Sequence, residues 1–169
     1  MVEGVVLTGA FGVGKTTLCE ELADQLEVLG TPYAAIDLDW LRWFDVPGLS
    51  RLAAEEALVG NLADVAARYR RAGVRRFFLA GRVEDDLFAR MRSTLGFPLR
   101  VVHVELDLET IRTRLSTAVT SGRADDLVAA NRHVRQSHAL PRADLVVVTD
   151  RPARELAESM LQARGWTQT

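Results

Sequence analysis

Nine consecutive residues near the N-terminus, Gly9-Ala10-Phe11-Gly12-Val13-Gly14-Lys15-Thr16-Thr17, satisfy the spacing GxxxxGK[ST] in full. The chemistry such a stretch supplies is anion capture. Its glycines let the backbone curl through torsions closed to other residues, until successive N–H groups point inward at one anion. The apolar run Val5-Val6-Leu7 precedes the motif and a helical pattern opens near Lys15, so the positive end of a helix adds to the same site. All nine residues are candidates for holding a polyphosphate. Thr16 is the candidate Mg²⁺ ligand through its hydroxyl, with the ion bridging phosphate oxygens.

Composition sharpens the reading of Lys15. The chain has 21 basic residues, and all but Lys15 are arginine. Where a generic surface cation would do, this sequence uses Arg. A lone lysine inside the motif points to a slim ammonium reaching between β- and γ-phosphates, where a planar guanidinium fits poorly.

A second cluster follows in Asp37-Leu38-Asp39-Trp40-Leu41-Arg42. Two carboxylates beside a magnesium-bound polyphosphate can divide the work. One, Asp37, orients the metal or its waters, and the other, Asp39, lies further out and accepts a proton from an attacking hydroxyl. The competing role for the pair is capping of the next helix. Trp40, Trp43 and Phe44 are candidates for an apolar wall around a small organic acceptor, with packing in the core as the alternative. Arg51 and Arg82 are candidate anion contacts. Cys19, one turn into the first helix, is either a small buried filler or a thiol acidified by the helix dipole, and the former reading is preferred.

The elements that must position these residues alternate strand and helix. A strand leads into the motif, and a helix from about Lys15 to Leu29 carries Leu18, Leu22, Leu26 and Leu29 on one stripe. A second strand spans about Tyr33 to Leu38. A long helix, roughly Ser50 to Ala72, bears Leu52, Val59, Leu62, Ala66 and Tyr69 at helical spacing, with a kink or split expected at Gly60-Asn61. Strand three, about Arg75 to Ala80, is apolar enough to be central. A helix from about Glu84 to Thr94, strand four from about Leu99 to Leu106 and a helix capped by Asp107 follow. The polar stretch Thr120 to Asp126 marks a loop before a helix of about Leu127 to Ala139. Strand five, Asp144 to Thr149, leads through Pro152 into a last helix ending near Ala163. Repeated βα units argue for one α/β domain over 1–169, a five-stranded parallel sheet with helices on both faces. In such a sheet ligands gather beyond the carboxyl ends of the strands, which brings the loops after strands one, two, three and five to one crevice.

Bulk properties narrow the function classes. At 169 residues, 48% hydrophobic and 26% charged, the chain reads as an ordinary globular domain. A formal charge of −2 provides no field favouring nucleic acid or an anionic membrane. One cysteine excludes an internal disulfide framework or a Cys-cluster metal site. With no long apolar run and no basic segment before the first strand, a cytoplasmic protein without signal or anchor is expected. Oligomeric state is not legible here.

The motif GxxxxGKT together with DxDxxR after strand two resembles the small-molecule phosphate-loop kinases that include adenylylsulfate kinase, chloramphenicol phosphotransferase, gluconate kinase and the zeta-toxin kinases. The resemblance implies a three-layer P-loop fold with strand order 2-3-1-4-5 and a short lid at about 118–128. It implies Asp39 as the catalytic carboxylate, Arg42 as an acceptor-side cation, and ATP with Mg²⁺ as cofactors. Val104-Glu105-Leu106 followed by Ile111-Arg112-Thr113-Arg114-Leu115 looks like the segment entering such a lid. By that likeness Arg114 lies near the adenine, while the place of an arginine over the phosphates, one turn on, is taken by Ala118 and is vacant unless Arg123, Arg132 or Arg135 enters. Thr149-Asp150-Arg151-Pro152 matches the place where such kinases hold the nucleotide base, largely by backbone. Strand three departs from many phosphate-loop ATPases in lacking a terminal aspartate, with Leu79-Ala80-Gly81-Arg82 in its place. A metal-side acid must then come from Asp37 or Asp39, with Glu84 as the fallback.

The expected activity is transfer of the γ-phosphoryl group of Mg-ATP to a hydroxyl or similar group of a small molecule. The rivals are a nucleoside or nucleotide kinase, in which Arg42 and Arg82 grip an acceptor phosphate, and a regulatory NTPase that signals through its bound nucleotide. Against the second stands the absence of an NKxD pattern, which needs a lysine that this chain does not have. A nucleic-acid-acting ATPase is disfavoured by the net acidity and the lack of a basic stripe.

Overall fold

The computed structural model describes residues 1–117, 140–163 and 165. Strand β1 (Glu3–Thr8) passes through the glycine loop into helix α1 (Lys15–Val28), and β2 (Tyr33–Asp37) turns at once into a single-turn helix α2 (Leu38–Leu41). Helix α3 (Arg51–Arg71), strand β3 (Arg76–Ala80), helix α4 (Asp85–Leu95), strand β4 (Leu99–Glu105), helix α5 (Leu108–Thr117), strand β5 (Leu145–Val148) and helix α6 (Ala153–Ala163) follow.

The five strands lie in the order β2-β3-β1-β4-β5, and every neighbouring pair is parallel. Parallel neighbours require crossovers, and helices supply them on both faces. Alternation along the strands sorts the core into two halves. Val5, Leu7, Phe78, Val102 and Val104 meet Leu18, Leu22 and Leu26 of α1 and Leu156, Met160 and Leu161 of α6. Val6, Ile36, Phe77 and Leu79 point the other way, onto Leu58, Leu62 and Ala66 of α3 and Leu87, Met91 and Leu95 of α4. The register pairs Leu7 with both Ala80 and Val102, and Asp37 with Ala80. The ends of β1, β2 and β3 are therefore level, and the loops beyond them open onto the same side of the sheet.

Several local expectations are corrected. The second strand ends at Asp37, one residue early, because that carboxylate accepts from the backbone N–H of Asp39 at 2.8 Å and starts α2. Helix α3 runs through Gly60-Asn61 without a break. Leu52 and Tyr69 are exposed, and the buried stripe is Leu58, Val59, Leu62 and Ala66. The reason is length: at 21 residues the helix is about 32 Å long, whereas a five-residue strand spans only about 17 Å, so both ends overhang the sheet. Cys19 is a buried filler of α1, and burial, reinforced by Asp37 and Glu20, pushes its thiol up to about 12. His103 packs within β4 with Nε2 2.7 Å from the carbonyl oxygen of Pro141. Among the described residues no helix is long and apolar enough to cross a membrane. The expected lid at 118–128 and the helix at 127–139, with Arg123, Arg132, Arg135, His133 and His138, lie outside the described residues.

Candidate active site

The glycine loop is held open from beneath. A Cβ on Gly9 would lie 2.2 Å from the carbonyl oxygen of Val104, so only glycine lets the end of β1 pass this close to β4. Gly12 and Gly14 take φ of 82° and 96°, and Gly14 then accepts the first α1 bond from Leu18. No side chain caps α1. The N–H groups of its first turn thus remain as donors at a positive helix end, the arrangement that receives a phosphate. Val13 is buried in the core, while Phe11 is exposed at the loop and Thr16 and Thr17 are exposed beside it.

Lys15 Nζ donates to the carbonyl oxygen of Ala10 at 2.8 Å, so the loop's cation spans the loop itself. Burial lowers its pKa to about 8, against the pull of Asp39 and then Asp37. The nearby Arg82 lowers it further. These couplings place Lys15, Asp37, Asp39 and Arg82 in one electrostatic neighbourhood.

The acids come from the level end of β2. The Thr16 hydroxyl donates to Asp37 Oδ2 at 3.1 Å, and Asp37 Oδ1 caps α2. Capping and a position beside the loop are therefore both true of Asp37. A hydroxyl and a carboxylate in contact at an exposed position form an all-oxygen donor set, and Mg²⁺ takes few protein oxygens while retaining waters and phosphate ligands. The residues present fit that ion, with Thr16 and Asp37 as those that would hold it. Asp39 is exposed, and its Oδ1 lies 3.7 Å from Arg42 Nε.

The arginines divide by what already holds them. Arg42 Nη2 donates to the carbonyl oxygen of Arg82 at 3.3 Å. Arg82 donates to Glu84 Oε1 through Nε at 3.2 Å and Nη2 at 2.9 Å. Glu84 Oε2 accepts from Arg51, Arg51 also donates to Glu55 at 2.8 Å, and Glu55 pairs with Arg90. Burial opposes the charge on Glu84, but the hydrogen bonds from Arg51 and Arg82 prevail and hold its carboxyl below the usual range. Glu84 is thus committed to arginines and stands apart from the fallback metal role. Trp40 and Trp43 are both exposed, with ring centroids 4.8 Å apart and planes at 42°.

On the opposite side, Arg114 Nη2 donates to the carbonyl oxygen of Thr149 at 2.9 Å, and the Thr149 hydroxyl donates to the carbonyl oxygen of Val13 at 2.8 Å. Arg114 Nη1 would stand 3.7 Å from a Cβ on Gly14. This clasp ties α5 and the end of β5 to the loop. The one signal of this role in the sequence is a polar residue closing an apolar strand. Arg151 is exposed and pairs with Asp150 at 3.9 Å, a contact that does not bring it to the loop. Thr8, also overlooked, is fully buried and its hydroxyl accepts from the N–H of Val83 at 3.0 Å, fixing the segment that carries Arg82 and Glu84.

A phosphate loop on the central strand, with an acid pair delivered from β2 in a sheet of order 2-3-1-4-5, defines the three-layer P-loop fold shared by small-molecule kinases. The chain belongs to the family whose model is described as an AAA domain, which matches residues 5–140. No curated protein matches the sequence significantly. Among solved structures, a sugar kinase from Janibacter sp. HTCC2649 is similar with a TM-score of 0.69 and 20% identity, over 96% of this chain and 94% of that one. The APS kinase of Mycobacterium tuberculosis, in complex with AMPPNP and APS, gives 0.65 and 21% over 97% and 98%. Shikimate kinase from Acinetobacter baumannii, in complex with shikimate, gives 0.64 and 19% over 99% and 96%. At such identities the likeness concerns the fold.

Proposed function

We propose that this protein is an ATP-dependent kinase that phosphorylates a hydroxyl of a small organic molecule. The observation that carries the reading is the contact between Thr16 and Asp37, which sets an acid-bearing turn directly against the phosphate loop. Loop N–H groups and Lys15 bind the triphosphate tail. Asp39, two residues beyond Asp37 and within the field of Lys15, takes the proton of the attacking hydroxyl. The acceptor oxygen forms a bond to the γ-phosphorus as the bond to the β,γ-bridging oxygen breaks, and ADP leaves. Thr16 and Asp37 would hold Mg²⁺, which would supply charge neutralisation for the phosphates. Arg114, already against Gly14 and Thr149, lies on the nucleotide side, and a lid arginine such as Arg123 would meet the charge that spreads over the transferred group. Kinase neighbours with AMPPNP and APS or with shikimate support the same division between a nucleotide side and an acceptor side.

The test is transfer itself. With Mg-ATP and a panel of hydroxylated acceptors, phosphorus NMR should reveal phosphorylated acceptor and not only free phosphate. Lys15→Ala should reduce transfer at least about 100-fold while circular dichroism stays native. Failure of the wild-type protein to bind any nucleoside triphosphate by calorimetry would sink the reading.

A further inference from the structure

At the other end of the sheet from the phosphate loop, a pocket of about 470 Å³ is lined by Val2, Ala67, Arg70, Arg71 and Arg75. Val2 precedes β1 and Arg75 precedes β3, whereas Gly9 and Arg82 follow those strands. The six residues of β1, about 20 Å of extended chain, therefore separate the pocket from the loop. Three arginines share its wall with two apolar residues and no carboxylate. Other pockets that carry arginines are balanced by acids. Arg51 and Arg90 meet Glu55, Glu84 and Asp86 between α3 and α4, and Arg92 and Arg142 meet Asp85 and Asp144 beside β4.

Two of the three arginines are placed by neutral groups. Arg70 Nη1 donates to the carbonyl oxygen of Leu95 at 3.5 Å, and its guanidinium lies 5.6 Å from the centroid of the Phe97 ring, itself buried and stacked on Phe77. Arg75 Nη1 donates to the carbonyl oxygens of Val74 at 3.1 Å and Arg70 at 3.5 Å, while its backbone is bonded to Pro32 and Glu3. Arg71 is exposed at the end of α3. Among the described residues none of the three forms an ion pair, whereas the neighbouring Arg76 takes Glu3 at 3.2 Å. Capping of α3 does not account for the charge. The N–H groups of Ala72, Gly73 and Val74 already bond the carbonyls of Arg68, Arg70 and Tyr69, so backbone closes the helix end. A helix terminus carries only about half a negative charge, which against three guanidiniums leaves about 2.5 positive charges uncompensated.

From three arginines that line one pocket without a carboxylate, we infer that it is a second anion site, separate from the phosphate loop, for a compact ligand with two or more negative charges on phosphate or carboxylate oxygens. The planar guanidinium fork matches both oxygen types. Like charges held together repel one another, and a multivalent anion relieves that repulsion more fully than a monovalent one. A volume of this size suits a small ligand, whereas a nucleic acid would need a longer basic track. The inference goes beyond the kinase reading and calls on neither the loop nor phosphoryl transfer.

The test uses the full chain with inorganic pyrophosphate and citrate as probes, followed by methyl NMR in a Lys15→Ala background that weakens the phosphate loop. The methyl signals of Val2 and Ala67 should shift saturably with at least one of the two anions. Pyrophosphate alone marks a phosphate ligand, and citrate alone a polycarboxylate. Acetate, with a single charge, should bind at least about tenfold more weakly, the scale of one charged hydrogen bond. Arg71 has no hydrogen bond or ion pair among the described residues, so Arg71→Gln tests the site without disturbing the fold. It should raise Kd about tenfold, and Arg71→Gln with Arg75→Gln about 100-fold, with circular dichroism unchanged. The control is Arg154→Gln, which removes an exposed arginine paired with Glu158 on α6 and should alter Kd less than about twofold. Shifts confined to Val13 and the loop, no saturable shift at Ala67 with either anion, or equal weakening by Arg154→Gln would overturn the inference. So would a Kd indifferent to Arg71→Gln, or binding of an acidic peptide or oligonucleotide in place of both small anions.

Discussion

Asp37 touches Thr16 through one carboxylate oxygen, at 3.1 Å, and caps the turn that carries Asp39 with the other, at 2.8 Å. A single side chain thereby joins the first turn after the phosphate loop to the turn that presents the second acid. The two aspartates are consequently unequal: Asp37 has both oxygens engaged in positioning, while Asp39 is exposed with Arg42 3.7 Å away.

That inequality separates their substitutions. Asp39→Asn should lower kcat by about 10²- to 10⁴-fold, the range of general-base contributions, with the KM for Mg-ATP little changed. Asp37→Asn keeps a side chain able to cap α2 but loses the charge beside Thr16. It should leave thermal stability near the native value and raise the Mg²⁺ concentration needed for half-maximal rate. Steady-state kinetics across Mg²⁺ concentration checks both. Undiminished kcat in Asp39→Asn reassigns the base.

Lys15 gives a signature in proton uptake. Its pKa is lowered from 10.5 to about 8, chiefly by burial. As pH rises, the folded chain gives up this proton first, so between about 8 and 10.5 the unfolded chain binds more protons and stability increases across that window. Below it the full penalty applies, on the order of 3 kcal/mol. Lys15→Met removes the penalty, so urea unfolding should find the variant more stable than wild type at pH 7.5, with the gap closing toward pH 10. A bound triphosphate favours the charged amine, and calorimetry at pH 8 in buffers of differing ionisation enthalpy should register uptake of up to about half a proton. That uptake should vanish in Lys15→Met.

Much of this arrangement was legible from the chain alone. The phosphate loop depends on local residue types, so the GxxxxGKT spacing identified it without tertiary information, and parallel βα alternation determined which loops share a crevice. The helix α2 was missed because a four-residue turn has no periodicity to detect. Its cause, an Asx-type cap by Asp37, was considered only as an alternative to a role at the site, whereas the residue has both positions. Leu52 and Tyr69 share the helical spacing of the buried stripe, but spacing registers a face and not where the sheet beneath it ends. Long-range partners were the hardest to anticipate. Nothing in the sequence links Arg51 to Glu84, or Thr149 to Val13, across 136 positions in the latter case.

Cys19 distinguishes a filler from a reactive thiol. Burial first, then Asp37, moves its pKa up to about 12, so thiolate is scarce at neutral pH. Native protein at pH 8 should resist dithionitrobenzoate over many minutes and react promptly in denaturant. Cys19→Ser introduces a buried hydroxyl and should cost about 1 to 3 kcal/mol by urea unfolding. Rapid labelling of the native chain would instead indicate that the end of α1 acidifies the thiol.

Gly81 supports the acid-bearing turn from outside it. A Cβ on Gly81 would lie 2.9 Å from Leu38 Cβ and 3.4 Å from its Cγ and Cδ1. Leu38 is fully buried and stands between Asp37 and Asp39. Relief must come at the root of that side chain, not at a flexible tip, so Gly81→Ala pushes the turn bearing Asp39 away from β3. The phosphate loop has its own support against β4, where Gly9 approaches the carbonyl oxygen of Val104. Nucleotide affinity should therefore persist while kcat falls about 10- to 100-fold, the cost of misplacing a reacting group by about an ångström, with about 1 to 3 kcal/mol of stability lost to overpacking. Gly60→Ala is the matched control, since nothing lies within 4 Å of its added carbon in the interior of α3. It should gain about 0.5 to 1 kcal/mol and leave both constants unchanged. If Gly81→Ala weakens nucleotide binding as much as turnover, the loop and the acid-bearing turn move together, and positioning of Asp39 by the Gly81–Leu38 contact is wrong.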